Sequence, residues 1–290
     1  MLTEGYKGGC HKISFTDYLA DPAPSPSLTR TTIKDLLFRS PRHAFYGHSR
    51  LNPDYQAKEA ERFDIGTAAH ALLLDGKDII EIIDAADWRT KAAKEARDEA
   101  RAKGKIPLLT AQTKDIFAMV NAANSALANS ELAIVDLQKE GDSELTYIWN
   151  EGKTWCRIRP DWISKDRTLV LDYKTVGNSA NPSDISRQII SFGYDIQAAF
   201  YTRGVREIEG TEPKFIFLFQ EIEEPYLCSF IGLPPQFMDM GASKVDYGLF
   251  LWRQCLEKNE WPGYPQRICW VEPPTWALAQ WEQISEGIGI

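Results

Sequence analysis

Apolar and polar positions alternate along residues 143–149, 154–163 and 168–175, and this period of two predicts three strands. In Val170-Leu171-Asp172-Tyr173-Lys174 the alternation puts Asp172 and Lys174 on one face and Leu171 and Tyr173 on the other. The polar Ser164-Lys165-Asp166-Arg167 between the last two runs reads as a turn, so the chain folds back there as a hairpin. Upstream the pattern is helical. Residues 17–29 carry Pro22, Pro24 and Pro26 and read as an irregular arm, mobile or packed on a partner, after which Thr29 or Thr31 is placed to cap a helix through Leu37. Ser40-Pro41 breaks that helix and starts a short second one. Further helices are expected over 62–74, 88–105 and 111–129. Downstream, 178–184 is a polar loop, 185–204 a helix, 214–221 and 226–231 strands, and 234–258 a long helix.

Helices, a hairpin, a crossover helix and further strands make an α/β fold with a mixed central sheet flanked by helices. With no internal repeat, linker or low-complexity tract, a single elaborated domain is expected over 1–290. Residues 1–135 form its mainly helical N-terminal portion and 136–290 its core and C-terminal helices. The composition, 43% hydrophobic and 26% charged, is ordinary for a globular chain. No apolar run approaches membrane-spanning length and the N-terminus lacks the apolar run of a secretory signal, so no membrane association and a cytoplasmic location are the expectation. Cys10, Cys156, Cys228, Cys255 and Cys269 form no C-x-x-C pair and no zinc spacing, which fits reduced structural thiols and excludes a four-cysteine iron–sulfur set.

The net charge of −8 weighs against a surface coated with phosphate-binding lysines. One local exception is the stretch over 88–105, where Lys91, Lys94, Arg97, Arg101 and Lys105 make a basic strip on an exposed helix. Asp161 and Asp172 stand eleven positions apart across the predicted turn, a spacing that lets both carboxylates reach one cation. Hard oxygen ligands of this kind suit Mg²⁺, with Mn²⁺ as a substitute, and a phosphate completes the shell. Lys174 would add a positive charge beside that phosphate. By the same period of two, Trp155, Arg157, Arg159 and Asp161 share a face, so the arginines either hold backbone phosphates or neutralise the acidic cluster. Glu144 begins the preceding strand and is a possible accessory carboxylate. Tyr194, Gln197 and Tyr201 recur at helical spacing and form one ridge, which lines a DNA path or packs on the sheet.

Arg159-Pro160-Asp161 and Asp172-Tyr173-Lys174 resemble the two core motifs of the PD-(D/E)xK nuclease superfamily, within it the RecB-like branch and its RecE-like exonucleases. Gly66-Thr67-Ala68-Ala69-His70 resembles the glycine-and-histidine helix that precedes the core in that branch. Residues 193–201, with Gln197 and Tyr201, resemble its downstream Q-x-x-x-Y helix. The motifs stand in the family's order, and Trp261-Pro262-Gly263-Tyr264 is also similar.

The resemblance implies a restriction-endonuclease-like core and a metal site of His70, Asp161 and Asp172, with Lys174 and Gln197 completing the catalytic set. It implies Mg²⁺-dependent hydrolysis of linear double-stranded DNA from the 5′ end, leaving 3′ single-stranded tails for an annealing protein in recombination. It also implies a closed homo-oligomer, a tetramer if the likeness extends to assembly. A RecB-like nuclease of other polarity or single-strand preference, and an inactive DNA-binding protein of the same fold, are the alternatives.

Overall fold

The computed structural model describes residues 7–56, 65–76 and 79–288. Residues 62–64, the expected start of the helix around His70, lie outside that set. Strand β1 (Gly9–His11) precedes a short helix α1 (Phe15–Leu19), where Asp17 N donates to Ser14 Oγ at 3.0 Å. The proline-rich arm that follows packs on its own chain: Leu28 is fully buried and its amide donates to Trp155 O at 2.8 Å. Thr29 caps α2 (Arg30–Phe38) by accepting from Thr32 N, and Pro41 opens α3 (Pro41–Tyr46) where its missing N–H is harmless.

Helix α4 (Ile65–Asp75) carries His70. The next region was expected to be helical, but it also contains two strands, β2 (Ile80–Ile83) and β3 (Ile106–Leu109), paired in parallel around α5 (Lys91–Ala102). These strands are only four residues long, too short for their apolar alternation to stand out from a helix. Helices α6 (Thr110–Asn129) and α7 (Leu137–Glu140) lead into the core.

Each of the first two expected core strands is divided. Strands β4 (Gly141–Ser143) and β5 (Thr146–Glu151) replace the first, and β6 (Thr154–Ile158) and β7 (Trp162–Ser164) the second. Glu144 takes φ 57° between β4 and β5, and Pro160, which has no N–H for a ladder, stands between β6 and β7. The first two runs thus form a hairpin of their own, turning at Gly152, and it switches sheets part-way along its length. Strand β8 (Leu169–Val176) follows, then α8 (Pro182–Phe192) and α9 (Tyr194–Glu209), where one helix was expected. Gly193 separates them in the left-handed conformation at φ 66°, which a glycine adopts without strain.

Strands β9 (Lys214–Glu221) and β10 (Cys228–Gly232) and helix α10 (Pro235–Lys258) match the expected elements. A last helix, α11 (Thr275–Ile288), to which the sequence pattern gave no bounds, leaves Trp276 and Trp281 exposed. The five-stranded sheet runs β10-β9-β8-β7-β4, parallel only between β8 and β9, and the three-stranded sheet runs β1-β5-β6. This is the α/β fold with a mixed sheet that the pattern predicted.

Two apolar cores face opposite sides of the larger sheet. One joins Val170, Phe217 and Phe219 to α9 and α10, and the other joins Leu171, Tyr173 and Leu218 to α4 and α6. Helix α10 lies so close to α9 that a Cβ on Gly241 would stand 2.2 Å from the Asp195 carbonyl oxygen. Among the described residues, no helix is long and apolar enough to cross a membrane.

Candidate metal centre

The two strand breaks build the site. Tyr147 pairs with Ile158 above the break and Ser143 with Trp162 below it, so both ladders, continued into the break, set Glu144 opposite Asp161. The Glu144 amide does donate to the Asp161 carbonyl, at 3.1 Å. A left-handed residue at that point bends the strand and re-aims the side chain, as bulges beside active sites do. The Asp161 carboxylate accepts from Tyr173 N at 2.9 Å and lies 3.1 Å from His70 Nε2. One ligand atom from each of His70, Glu144 and Asp161 lies within 4.8 Å of the other two.

His70 arrives from the sheet face that carries Leu171 and Tyr173. The buried Ala68 and Ala69 let α4 approach that face, and the imidazole sits 6.0 Å from the Tyr173 ring. Tyr173 is itself fixed by donating its hydroxyl to Gln220 Oε1. Asp172 and Lys174 occupy the opposite face, as their spacing predicted. The Lys174 ammonium pairs with the fully buried Asp172 carboxylate, which also accepts from Gln197 Nε2 on α9. Asp161, at the mouth of the break, is where groups from both faces meet.

The charges there are unequally satisfied. Burial opposes ionisation of both partners of the His70–Asp161 pair, but their attraction and hydrogen bond win, lifting His70 to about 9 and holding Asp161 below the usual carboxylate range. Asp172 goes the other way: burial and the neighbouring Asp161 push it up to about 6, against the pull of Lys174. Burial and Asp161 likewise raise Glu144, against Arg159. Lys174 is raised despite its burial, because Asp172 and Asp161 favour the ammonium. Glu144 and Asp161 with the His70 imidazole form a donor set that suits a hard divalent cation, with Asp172 as a neighbouring carboxylate. Burial that raises the carboxylates makes such an ion favourable, since it neutralises them.

A family profile described as a PDDEXK-like domain of unknown function (DUF3799) matches residues 31–271. The chain belongs to this family. A crystal structure of a "Putative exonuclease" from Eubacterium rectale aligns over 92% of this chain and 98% of its own, at 14% identity and a TM-score of 0.57. At that identity the likeness bears on the fold, which is of the PD-(D/E)xK kind with a helical N-terminal elaboration. A second solved structure, SSO0001, covers 82% of this chain and 87% of its own at 13% identity, and its TM-score of 0.27 carries no weight. Among curated proteins none matches.

Within this PDDEXK-like chain the remaining candidates divide. Arg159 donates through Nε to Glu144 Oε2 and through its Nη1 to Ile13 O at 2.9 Å and Thr146 Oγ1 at 3.0 Å, so it aims Glu144. Arg157 shares its face, both guanidinium groups lying over the Tyr18 ring, but it is buried against Asp21 at 2.9 Å. Of the two roles open to these arginines, phosphate contact or neutralising acidic groups, the structure has both paired with carboxylates of the chain, Arg159 with Glu144 and Arg157 with Asp21, and the face they were to share with Asp161 ends at Pro160. Tyr201 is buried against Phe215, with ring centroids 6.0 Å apart, and lies within electrostatic reach of Asp172 and Asp161. Tyr194 remains beside the site, 5.4 Å from Lys174 Nζ. On α5, Lys91 pairs with Glu95 at 3.7 Å, Arg97 with Asp98 at 2.9 Å, and nearby Lys105 with Glu81 at 2.9 Å, which spends much of the strip's charge locally.

Proposed function

We propose that this protein is a Mg²⁺- or Mn²⁺-dependent exodeoxyribonuclease that degrades linear double-stranded DNA from the 5′ end and leaves 3′ single-stranded tails. The observation that carries the reading is the His70–Glu144–Asp161 ligand cluster abutting the Asp172–Lys174 pair on a PD-(D/E)xK fold. The residue motifs that resemble RecE-like exonucleases support the DNA substrate and the polarity.

His70, Glu144 and Asp161 would hold the cation, with Asp172 beside Asp161 as a further carboxylate. A divalent ion bound there supplies an activated water and charge neutralisation at the phosphate. The chain's own groups do the positioning. Arg159 fixes Glu144, the Tyr173 amide fixes Asp161, and Gln197 fixes Asp172. Lys174, held between Asp172 and the Tyr194 ring, keeps its proton and faces the negative charge that builds on the phosphate in the transition state. Homo-oligomeric assembly and an annealing partner belong to the same proposal, since processive digestion needs the enzyme to stay on its product.

Duplex DNA labelled separately at its 5′ and 3′ ends tests the reading, with Mg²⁺, with chelator, and with Asp172→Asn protein. Early metal-dependent release of the 5′ label by the unaltered chain alone is the expected result. Release of the 3′ label first would reject the polarity, and metal-independent or absent release would reject the hydrolase.

A further inference from the structure

Beside Lys174 begins a row in which cations alternate with aromatic rings. The Tyr194 ring has Lys174 Nζ 5.4 Å from its centroid and the Arg30 guanidinium carbon at 5.6 Å. Arg30 also donates to Phe192 O at 2.6 Å, and the Phe192 ring has Lys34 Nζ 5.7 Å from its centroid. Phe38 extends the row: a Cβ on Gly193, the residue between Phe192 and Tyr194, would be 3.5 Å from the Phe38 ring and 3.8 Å from the Lys34 stem, and on the Phe38 ring sits Lys244, 5.7 Å from its centroid and paired with Asp195 at 2.6 Å.

The row follows from local geometry. Arg30, Lys34 and Phe38 recur at every fourth residue and so lie along one face of α2, spanning about 12 Å. The left-handed Gly193 turn delivers Phe192 and Tyr194 against that face, with their ring centroids 5.6 Å apart. Phe38 and Phe192 are nonetheless 47% and 48% exposed. Asp35 is drawn off to Arg39 at 3.1 Å, while burial and the neighbouring Arg30 depress Lys34 below the usual lysine range. Two adjacent cations and two half-exposed rings, on a chain of net charge −8, form a surface that phosphates and base faces would satisfy together.

We infer that this row is a binding track for single-stranded DNA, which holds the strand end being hydrolysed as it enters the metal centre. Arg30 and Lys34 contact phosphates, and Phe192 and Phe38 stack with bases. The inference rests on the nuclease reading for its direction, toward Lys174. A single strand is the occupant because stacking requires open base faces, which a duplex covers. A protein partner would account for the rings but not for the cations between them or for their continuity with Lys174.

The test uses the full chain in chelator with a fluorescein-labelled oligothymidylate of about 12 nucleotides, and the same oligomer carrying one 2-aminopurine. Phe192→Ala is expected to weaken binding about tenfold and to abolish the change in 2-aminopurine emission, while Phe192→Trp retains both. Lys34→Gln, on a half-exposed site that leaves the core intact, is expected to weaken binding and reduce the salt slope by about one. Oligomer binding that is equal in the unaltered, Phe192→Ala and Lys34→Gln proteins would overturn the track. Cleavage of linear duplex by the unaltered chain is measured in parallel. Cleavage with track-independent binding rejects the track alone, whereas track-dependent binding without any metal-dependent cleavage rejects the nuclease and keeps the track.

Discussion

Two clusters in this chain are built from the same residue types and behave differently. Asp21, His48 and Arg157 form one, almost wholly buried: Arg157 Nη1 is 2.9 Å and His48 Nε2 3.4 Å from the Asp21 carboxylate, which also accepts from Ser27 N at 2.8 Å and Ser27 Oγ at 2.7 Å. Burial opposes that charge, but His48, Arg157 and Ser27 together hold Asp21 below its ordinary value. Around Asp161 the histidine and cations are shared among three carboxylates, and two of these, Glu144 and Asp172, are raised. One carboxylate with every lone pair answered ties the N-terminal arm to β6. Around Asp161, whose ionised carboxylate raises both Glu144 and Asp172, the surplus of acidic groups favours an added cation, so the count of like charges separates the structural cluster from the chemical one.

The largest expected effect tests the structural cluster. Asp21→Ala strands the buried Arg157 charge and should cost about 3–5 kcal/mol in urea denaturation. Asp172→Asn removes a carboxylate that burial already disfavours and leaves Lys174 the attraction of Asp161, so it should cost less, about 1–2 kcal/mol. Equal losses would erase the distinction between the two clusters. Activity should show the reverse order. Asp161→Asn and Lys174→Ala are expected to slow cleavage at least a hundredfold, about 3 kcal/mol in barrier, with unchanged circular dichroism. Folded variants that turn over near normally would remove the catalytic assignment.

Metal sharpens the same contrast. Mg²⁺ or Mn²⁺ at a hundredfold excess over its dissociation constant should stabilise the chain by about 2.7 kcal/mol, and Glu144→Gln should lose most of that gain. Stabilisation that persists in Glu144→Gln would place the ion elsewhere. The smallest effect is on acid stability. Because Asp21 is depressed in the folded chain, the unfolded chain takes up the proton first as acid is added. The stability Asp21 contributes is complete above its unfolded value of about 4 and is lost as pH falls through its folded value. Asp21→Asn should flatten that part of the pH–stability curve measured by thermal melting, and an unchanged curve would contradict the pairing.

Much of the site was legible because its signals are local. Asp172 and Lys174 share a face by strand period, and Gln197 falls on the helix that meets them, within the span where one helix was expected. Glu144 was visible only as an accessory, although the hairpin register, once assumed, sets it opposite Asp161. The division of that helix at Gly193 was hidden because one glycine is tolerated inside many helices. That division aims Phe192 and Tyr194 at α2, so the row of cations and rings could not be read from spacing.

By itself the sequence determined the strand and helix periods, the order of the motifs, the mixed α/β class and the chemical identity of the carboxylates, histidine and lysine. These depend on neighbours a few residues away, where backbone geometry is regular. Only the tertiary structure decided that both hairpin strands switch sheets at Glu144 and Pro160, that Arg157 is spent on Asp21 while Arg159 aims Glu144, and that Tyr201 is core. Those outcomes depend on which long-range partner reaches each charge or ring first, and a buried charge goes to whichever partner leaves the fewest groups unanswered.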